Sequence, residues 1–398
     1  MKILRIIYDW PPPWDGLAPH PYELTAAQAK MGHKFFIFCG RWPNAGKIEE
    51  LENVTLVPFY REPFPGTLNI TISIWMFFYY LSWRRKNAVD LVHSHGHFAI
   101  WIYLYRLLLK KYFPNAKELK TPLVVHFHNT VEGRKQAALK KGSKINPVSK
   151  YLSWPLARLS DKWSVRVAEH CIFVSQDTLD DAVKYYGADP KKCSVVESGV
   201  NTDIFKSVGV EEKDKTRHEL GLDPIDKVVV NHGIMVERKG IHLLVEALNY
   251  LPIQYKLLLV GSGNPAYLEK INNRIKELKL VNRVVQVGYT PYPHTPIAFQ
   301  AADIFVLPSQ FEGLPKVLMQ SLSCGIPALV SGFKLSEDIR GIVYLENTEP
   351  TYIAQKIREI VENPPEVDRS KVVSEYSWEE RAYKVEKVYD EILPKGTN

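Results

Sequence analysis

The sequence lacks the residue patterns that build disulfide or zinc frameworks. It contains four cysteines in 398 residues, without a Cys-x-x-Cys pair or a Cys/His spacing typical of zinc sites. Scattered cysteines of this kind predict a reduced protein, for which the cytoplasm is the simplest compartment. No low-complexity tract or repeat at solenoid spacing is visible, so the composition favours a globular protein over a disordered chain.

Long hydrophobic runs are also absent. The run at residues 1–9 contains Lys2 and Arg5, is too short for a secretory signal, and is predicted to form a buried strand. Residues 70–83 and 98–109 are apolar stretches too short to span a bilayer, and basic residues follow each of them. Two interpretations stay open: helices buried on a sheet, or an aromatic and basic surface that rests on an anionic membrane, to which the basic segment 134–150 would add.

Charge is unevenly distributed along the chain. Residues 1–195 contain 27 Lys and Arg against 16 Asp and Glu, a net charge of +11, whereas residues 196–398 contain 24 against 28, a net charge of −4. A basic half indicates an anionic partner such as a phosphate or a lipid surface, or simply a solvated basic face. We expect no nucleic-acid partner.

The hydrophobic pattern predicts two α/β domains. A chain of 398 residues is longer than one core usually supports. Short Val/Ile/Leu runs alternate with longer amphipathic stretches, which is typical of parallel sheets covered on both faces. The predicted strands of the first domain are residues 2–8, 35–39, 54–58, 90–95, 123–128, 170–174 and 194–197. Those of the second are residues 227–232, 256–260, 284–287, 304–307, 327–330 and 342–345, after a polar linker at 207–226.

Doubly wound sheets bind ligands at the carboxyl ends of their strands. Two such domains are expected to face each other across a deep cleft. Candidate functional residues are therefore those in the loops that follow strands.

Residues 308–325 hold the strongest local motif. After a predicted strand comes a Gly-containing turn, then Pro315 at a position that suits the start of a helix, and Gly325 at its end. The free N–H groups and positive dipole end of that helix suit an anion such as a diphosphate. Glu312 can accept two sugar hydroxyls, and Gln320 can offer an amide to a ribose. An ordinary strand-turn-helix unit with a surface glutamate explains the local pattern equally well.

Two further loops follow strands of the second domain. Residues 231–240 end in Arg238, Lys239 and Gly240, where a lysine can reach a phosphate and an arginine can supply a bidentate contact, although a solvated charge cluster is the more common case. Gly261-Ser262-Gly263 is more often a tight turn than a ligand site.

Histidines cluster at two predicted strand ends of the first domain. His93, His95 and His97 alternate at one, and His126 and His128 at the other. Imidazole is a common metal ligand, but no carboxylate or cysteine spacing accompanies these residues. No Asp-x-Asp occurs, so the usual carboxylate pair for a divalent ion on a nucleotide diphosphate is missing. We expect no metal or other cofactor, and a histidine that bonds a sugar fits better.

Taken together, these motifs resemble the GT-B glycosyltransferases of family 4, which are retaining, metal-independent enzymes that use nucleotide sugars. The resemblance covers almost the whole chain. It rests on Pro-Pro-x-x-x-Gly with His20 and Glu23, on residues 90–95, 233–240 and 261–263, on the 308–325 block, and on Tyr376-Ser377-Trp378. It implies two facing Rossmann-like domains, residues 1–200 and 201–375, with a C-terminal helix at 376–398 that crosses back onto the first.

The resemblance also implies roles for single residues. Lys239 matches the lysine that binds the diphosphate, Glu312 the glutamate that holds donor sugar hydroxyls, and His128 the histidine beside the transferred sugar; these three are the predicted catalytic residues. The predicted donor-binding residues are Gly16, Gly233, Arg238, Lys239, Gly263, Glu312, Gly313, Leu314, Lys316, Val317 and Gln320.

Three positions depart from the family pattern. Ile234 stands where the family usually has an arginine that contacts the diphosphate, Gln320 replaces the second glutamate of its Glu-x7-Glu motif, and Leu17 replaces a glycine. A neutral amide keeps a hydrogen bond to a ribose hydroxyl but loses charge assistance, at a cost of about 1 kcal/mol.

The sequence therefore predicts a retaining, metal-independent glycosyltransferase that moves a sugar from a nucleotide-diphosphate sugar to a glycan or lipid-linked acceptor. The expected location is the cytoplasm, with the inner face of the membrane as a peripheral site. The alternative is a catalytically weakened GT-B module that binds a nucleotide sugar or glycan as a partner subunit.

Overall fold

The computed structural model describes residues 1–14, 16–42, 46–47, 50–61, 70–140, 147, 149–312, 315–335 and 337–393. It divides into two compact units: Met1–Ser198 with Arg381–Asn398 is unit 1, and Gly199–Glu380 is unit 2. Each unit contains one parallel sheet with interleaved helices, which confirms the predicted α/β class with two Rossmann-like domains.

Unit 1 is built on a seven-stranded parallel sheet in the order β3-β2-β1-β4-β5-β6-β7. Every strand predicted for this half overlaps one of these strands. Their bounds are β1 Lys2–Ile7, β2 Lys34–Arg41, β3 Val54–Tyr60, β4 Leu91–His95, β5 Leu123–Phe127, β6 His170–Phe173 and β7 Cys193–Val195. The helices are α1 Pro19–Lys30, α2 Ile70–Lys86, α3 Ile100–Tyr112, α4 Val131–Lys140, α5 Trp154–Val167 and α6 Gln176–Tyr186.

The apolar stretch at 70–83 forms most of α2, and its two faces differ. Met76 and Tyr80 are fully buried and pack in the core of unit 1. Trp75 and Phe78 are 65% and 58% exposed, next to a half-exposed Tyr79. The helix is thus buried on one face and aromatic on the other. No helix among the described residues is both long and apolar enough to cross a membrane.

Unit 2 is built on a six-stranded parallel sheet in the order β10-β9-β8-β11-β12-β13. Its strands are β8 Lys227–His232, β9 Tyr255–Val260, β10 Val284–Gly288, β11 Ile304–Pro308, β12 Ala328–Ser331 and β13 Ile342–Tyr344. Its helices are α7 Val210–Glu219, α8 Ile241–Leu248, α9 Pro265–Glu277, α10 Pro296–Gln300, α11 Lys316–Ser323, α12 Pro350–Glu362 and α13 Arg369–Tyr376.

The segment predicted as a polar linker, 207–226, contains helix α7, so that prediction was wrong. The helix has no apolar face that a sequence pattern would show, but ion pairs attach it to unit 2. Lys213 Nζ lies 2.8 Å from Asp303 Oδ1, and Arg217 Nη2 lies 2.8 Å from Asp303 Oδ2. The partner is distant in the sequence, which is why the helix was missed.

The last helix, α14 (Trp378–Ile392), belongs to unit 1 from Arg381 onward. Glu386 accepts a hydrogen bond from Gln28 Nε2 at 2.6 Å and lies 2.9 Å from His33 Nε2. The Tyr389 hydroxyl lies 2.5 Å from His93 Nδ1 and 3.4 Å from the Arg5 guanidinium. These contacts fix the helix against β1, β4 and α1.

Arg5 is a fully buried charge in this region. It donates to Thr25 Oγ1, and to Gln28 Oε1 at 2.5 Å. Burial lowers the pKa of Arg5, while Tyr389 and Glu386 oppose the shift. The charged form of the buried arginine is therefore stabilised by groups from the C-terminal helix.

We expect Tyr389→Phe to lower the free energy of unfolding by about 1–3 kcal/mol, because it leaves Arg5 and His93 with one polar partner fewer in a buried setting. Urea unfolding followed by circular dichroism measures the change. Tyr383→Phe is the matched control, since Tyr383 lies on the same helix and is exposed. Equal stability of the two variants would contradict the role given to the Tyr389 hydroxyl.

Candidate functional site

In unit 2 the strand order reverses between β8 and β11, so the loops that follow these two strands start side by side. The two loops are joined directly, because Gln310 N–H donates to the Arg238 carbonyl at 2.8 Å. Gly240 has a φ of +68°, and a Cβ there would overlap the Pro308 carbonyl oxygen. A glycine is required at this position for the loops to approach each other.

This junction brings three predicted site residues together. Glu312 Oε1 lies 2.7 Å from Arg238 Nη1 and 3.9 Å from Lys239 Nζ. The Ser309 hydroxyl donates to the same oxygen at 3.0 Å. Two cations therefore share one carboxylate, which leaves this cluster with one excess positive charge.

Lys239 is buried, with 8% of its surface exposed. Burial lowers its pKa, and Arg238 adds to that effect, whereas Glu312 opposes it. A buried ammonium beside a second cation is stabilised by any further anion. The site is thus electrostatically suited to a phosphate.

Glycines of the β8 and β9 loops have a packing role. A Cβ on Gly233 would lie 2.8 Å from Lys239 Nζ, and one on Gly263 would overlap the Met235 carbonyl oxygen. Met235 N–H donates to Ser262 O at 2.8 Å. Close approach of the two loops accounts for Gly263 without a ligand, while Gly233 lies directly against Lys239.

Helix α11 begins at Lys316, not at Pro315, so the predicted helix start was one residue early. Pro315 is the N-cap, with extended backbone at φ −73° and ψ 116°. The N–H groups of Lys316 and Val317 lie at the start of this helix, as the anion-site prediction requires. Gly313 and Leu314 lie outside the described residues.

The side chain of Gln320 is 7% exposed, and its Oε1 has no hydrogen-bond donor among the described residues. A buried amide oxygen without a donor costs free energy unless a ligand or water supplies one. Ile234, which departs from the family pattern, is 58% exposed on the β8 loop. Of these two departures, Gln320 retains ligand-binding capacity and Ile234 supplies none for an anion.

In unit 1 the corresponding strand ends surround a cavity of about 300 Å³. His128 and Leu17 line it, whereas Gly16 has a φ of +56° in the loop after β1. The other lining residues are Ile7, Tyr8, Asp9, His95, Gly96, His97, Phe98, Phe127, Asn129, Arg134 and Asp161.

Four histidines form a stack beside this cavity. The stack consists of His93, His95, His126 and His128. In each stacked pair the two ring planes lie within 20° of parallel and the ring centroids are 4.6–5.5 Å apart. Burial lowers the pKa of His93, His95 and His126 well below 6.5, so these three are neutral. His95 Nδ1 lies 3.1 Å from His128 Nε2, which ties the buried stack to the predicted catalytic histidine.

Three of these histidines could be considered as metal ligands, because ligand atoms of His93, His95 and His126 lie within 4.8 Å of one another. Their ring planes are nearly parallel, however, and the nitrogen lone pairs lie in those planes. The lone pairs therefore do not converge on one point, as tetrahedral coordination requires. The guanidinium of Arg5, 3.3 Å from His93 Nδ1, further disfavours a cation there.

The strand β4 ends at His95, as predicted, and His97 lies in the turn Gly96–Ala99 that follows it. The Nε2 atom of His97 lies 3.3 Å from Arg134 Nη2. Its Nδ1 atom lies 3.4 Å from Asp161 Oδ1, but the two atoms are too poorly aligned for a hydrogen bond. Burial raises the pKa of Asp161 to about 7, although the Val131 N–H opposes this shift. Asp161 was not predicted as a site residue; the signal for it is an acidic residue on the buried face of α5.

We expect Asp161→Asn to become more stable relative to the wild type as the pH rises. An aspartate with a raised pKa binds its proton more tightly when folded, so ionisation costs stability above about pH 4 and the cost is complete above about pH 7. The difference in unfolding free energy should grow by up to about 4 kcal/mol across this range. Urea unfolding at a series of pH values measures it, with Asp390→Asn on an exposed face as control. A constant difference would show that Asp161 ionises normally.

Two family models match the chain in succession. The model for Glycosyltransferase Family 4 matches residues 14–204, and the model for Glycosyl transferases group 1 matches residues 212–379. The first match lies mainly in unit 1, and the second lies within unit 2.

Similar proteins match most or all of the chain. An uncharacterized glycosyltransferase of Methanocaldococcus jannaschii is 25% identical, over 98% of both chains. A D-inositol 3-phosphate glycosyltransferase of Xylanimonas cellulosilytica is 26% identical over 65% of this chain and 61% of its own.

Solved structures share the fold. Sucrose-phosphate synthase from Thermosynechococcus elongatus has a TM-score of 0.75 at 20% identity, over 98% of this chain and 99% of that one. HepE from Anabaena, solved with UDP and glucose, has a TM-score of 0.70 at 17% identity, over 98% of this chain and 100% of that one.

Proposed function

Because the chain belongs to the GT-B glycosyltransferases of family 4, we propose that it transfers a sugar from a nucleotide-diphosphate sugar to a glycan or lipid-linked acceptor. The proposal includes retention of the anomeric configuration and catalysis without a metal ion. The chain is a glycosyltransferase by its family. The cluster of Lys239, Arg238 and Glu312 is the observation that carries the proposal for the donor.

The donor diphosphate is assigned to this cluster because its excess positive charge lies at the strand ends where an open sheet binds ligands. Arg238 supplies a guanidinium on the same loop where Ile234 supplies none. HepE, which shares the fold, was solved with UDP-glucose as well as UDP, in keeping with a donor of this class. The positive groups would stabilise the charge that develops on the departing diphosphate, which is the step a metal ion would otherwise assist.

The remaining donor contacts are assigned to Glu312 and Gln320. Arg238, Lys239 and Ser309 all contact Oε1 of Glu312, so its second carboxylate oxygen can accept a sugar hydroxyl. The buried Oε1 of Gln320 can accept a ribose hydroxyl, and this contact would satisfy the oxygen. His128 is assigned to the transferred sugar, and the cavity of unit 1 to the acceptor.

The weakened binding module is the less favoured alternative. Its basis is the loss of contacts at Ile234, Gln320 and Leu17. Against it stand the guanidinium of Arg238 on the loop that carries Ile234, and the amide of Gln320, which can still form a hydrogen bond. A module of this kind would bind a nucleotide sugar without transferring or hydrolysing it.

We expect Lys239→Ala to lower kcat about 10²–10³-fold, because a positive group aimed at developing charge is lost from a buried site. The assay measures release of nucleotide diphosphate from donors identified in a thermal-shift screen, with and without a chelator. Lys270→Ala is the control, since Lys270 is 62% exposed in its side chain and pairs with Glu237. Wild-type turnover in the Lys239 variant would overturn the assignment, and inhibition by the chelator would overturn metal independence.

We propose, in addition, that unit 1 rests on anionic membrane through the exposed face of α2. Trp75, Phe78 and Tyr79 are exposed on this face, and the exposed Arg85 and Lys86 follow at the end of the helix. Aromatic side chains insert at the level of the lipid headgroups, while basic residues add attraction to anionic lipid. A lipid-linked acceptor would be presented at such a surface.

Replacing both Trp75 and Phe78 by serine should reduce co-sedimentation with phosphatidylglycerol vesicles several-fold, because about 1–3 kcal/mol of apolar contact is lost per side chain. The control replaces Val210 and Ile225 by serine, since both are exposed in unit 2. If the wild type binds neither anionic nor neutral vesicles, the membrane proposal is wrong.

A further inference from the structure

Two of the four cysteines, which the sequence shows 22 positions apart, are direct neighbours in the sheet of unit 1. Cys171 of β6 is paired in register with Cys193 of β7, in parallel orientation. Their thiols are close enough for one to hydrogen-bond the other, and both cysteines are free.

The backbone geometry of this pair suits a disulfide. Residues in register on adjacent parallel strands point their side chains to the same face. Neighbouring strands lie about 4.8 Å apart, and Cα atoms joined by a disulfide are about 4.4–6.8 Å apart. A covalent bond between the two sulfurs therefore needs little movement of the backbone.

The two thiols differ in access to solvent. Cys171 is buried between β5 and β7, whereas Cys193 is partly exposed on β7, the edge strand of the sheet. The hydrogen bond to Cys171 lowers the pKa of Cys193 and raises that of Cys171. Cys193 is thus the thiol that an oxidant meets first, and Cys171 is the one placed to resolve it.

We propose that Cys171 and Cys193 form a peroxide-sensitive dithiol that closes to a disulfide between β6 and β7. The Cys193 thiolate attacks one peroxide oxygen and the O–O bond breaks, which gives a sulfenic acid and, after proton uptake, water. The Cys171 sulfur then attacks the Cys193 sulfur, the S–O bond breaks, and the hydroxide leaves as water with the Cys171 proton. Two thiols lose two electrons, and one peroxide is reduced to two waters.

The bond would link β7, the edge strand of the unit 1 sheet, covalently to β6. In the reduced protein β7 is a three-residue strand held on one side by β6, with a further tie from His170 Nε2 to Ser194 Oγ at 2.8 Å. A disulfide would enclose α6 in a loop and restrict the unfolded chain. This function is separate from sugar transfer and does not depend on it.

The test treats the full-length native protein with hydrogen peroxide, blocks the remaining thiols with iodoacetamide, and analyses intact mass and non-reduced peptides. We expect the loss of two hydrogen atoms and a cross-linked peptide pair that contains Cys171 and Cys193. The other two cysteines, Cys39 and Cys324, should be alkylated; both are buried, so the alkylation is done in denaturant. The urea midpoint should rise on oxidation and return when dithiothreitol is added.

Cys193→Ser and Cys171→Ala are the matched variants, and each should abolish the cross-link while Cys39→Ala retains it. Four alkylated cysteines after peroxide treatment would overturn the proposal. So would a cross-link that survives in the Cys193 variant, or oxidation of Cys193 to the sulfinic acid with Cys171 still alkylated.

Discussion

The parallel pairing of β8 with β11 is the constraint on which the candidate donor site depends. Ile304 and Phe305 lie in register with Val229 and Val230, so both strands deliver their following loops to the same edge of the sheet. The bond from Gln310 N–H to the Arg238 carbonyl then sets the separation of the loops. A shift in register would move Glu312 away from Lys239. The geometry of the charged cluster is therefore set by the pairing of the buried strands.

Electrostatics in this site favours an anion that is not part of the protein. A single carboxylate cannot neutralise two cations, and burial of Lys239 makes the remaining imbalance more costly than it would be on the surface. The arginine contributes from the residue next to Lys239 and not from position 234.

Much of the fold was accessible from the sequence because buried parallel strands give continuous apolar runs, and every predicted strand overlaps a strand of the structure. The features that the hydrophobic pattern does not predict are those held in place by residues distant in the sequence. Helix α7 has no apolar stripe and is attached through Asp303. Asp161 belongs to the cavity of unit 1 although it comes from a helix some 30 residues beyond His128. Motifs predicted Arg238, Lys239 and Glu312, which lie together close to strand ends, but not the hydrogen bonds that position them.

The C-terminal helix has a structural role that the resemblance alone does not explain. Tyr389 and Glu386 compensate the buried charge of Arg5, and Arg5 in turn contacts His93. His93 stacks on His95, whose Nδ1 lies 3.1 Å from His128. Neutral stacked imidazoles attract one another only weakly. The orientation of the four rings therefore depends on the hydrogen-bonding groups at the two ends of the stack. The last helix of the chain therefore helps to fix the orientation of a histidine more than 250 residues earlier in the sequence.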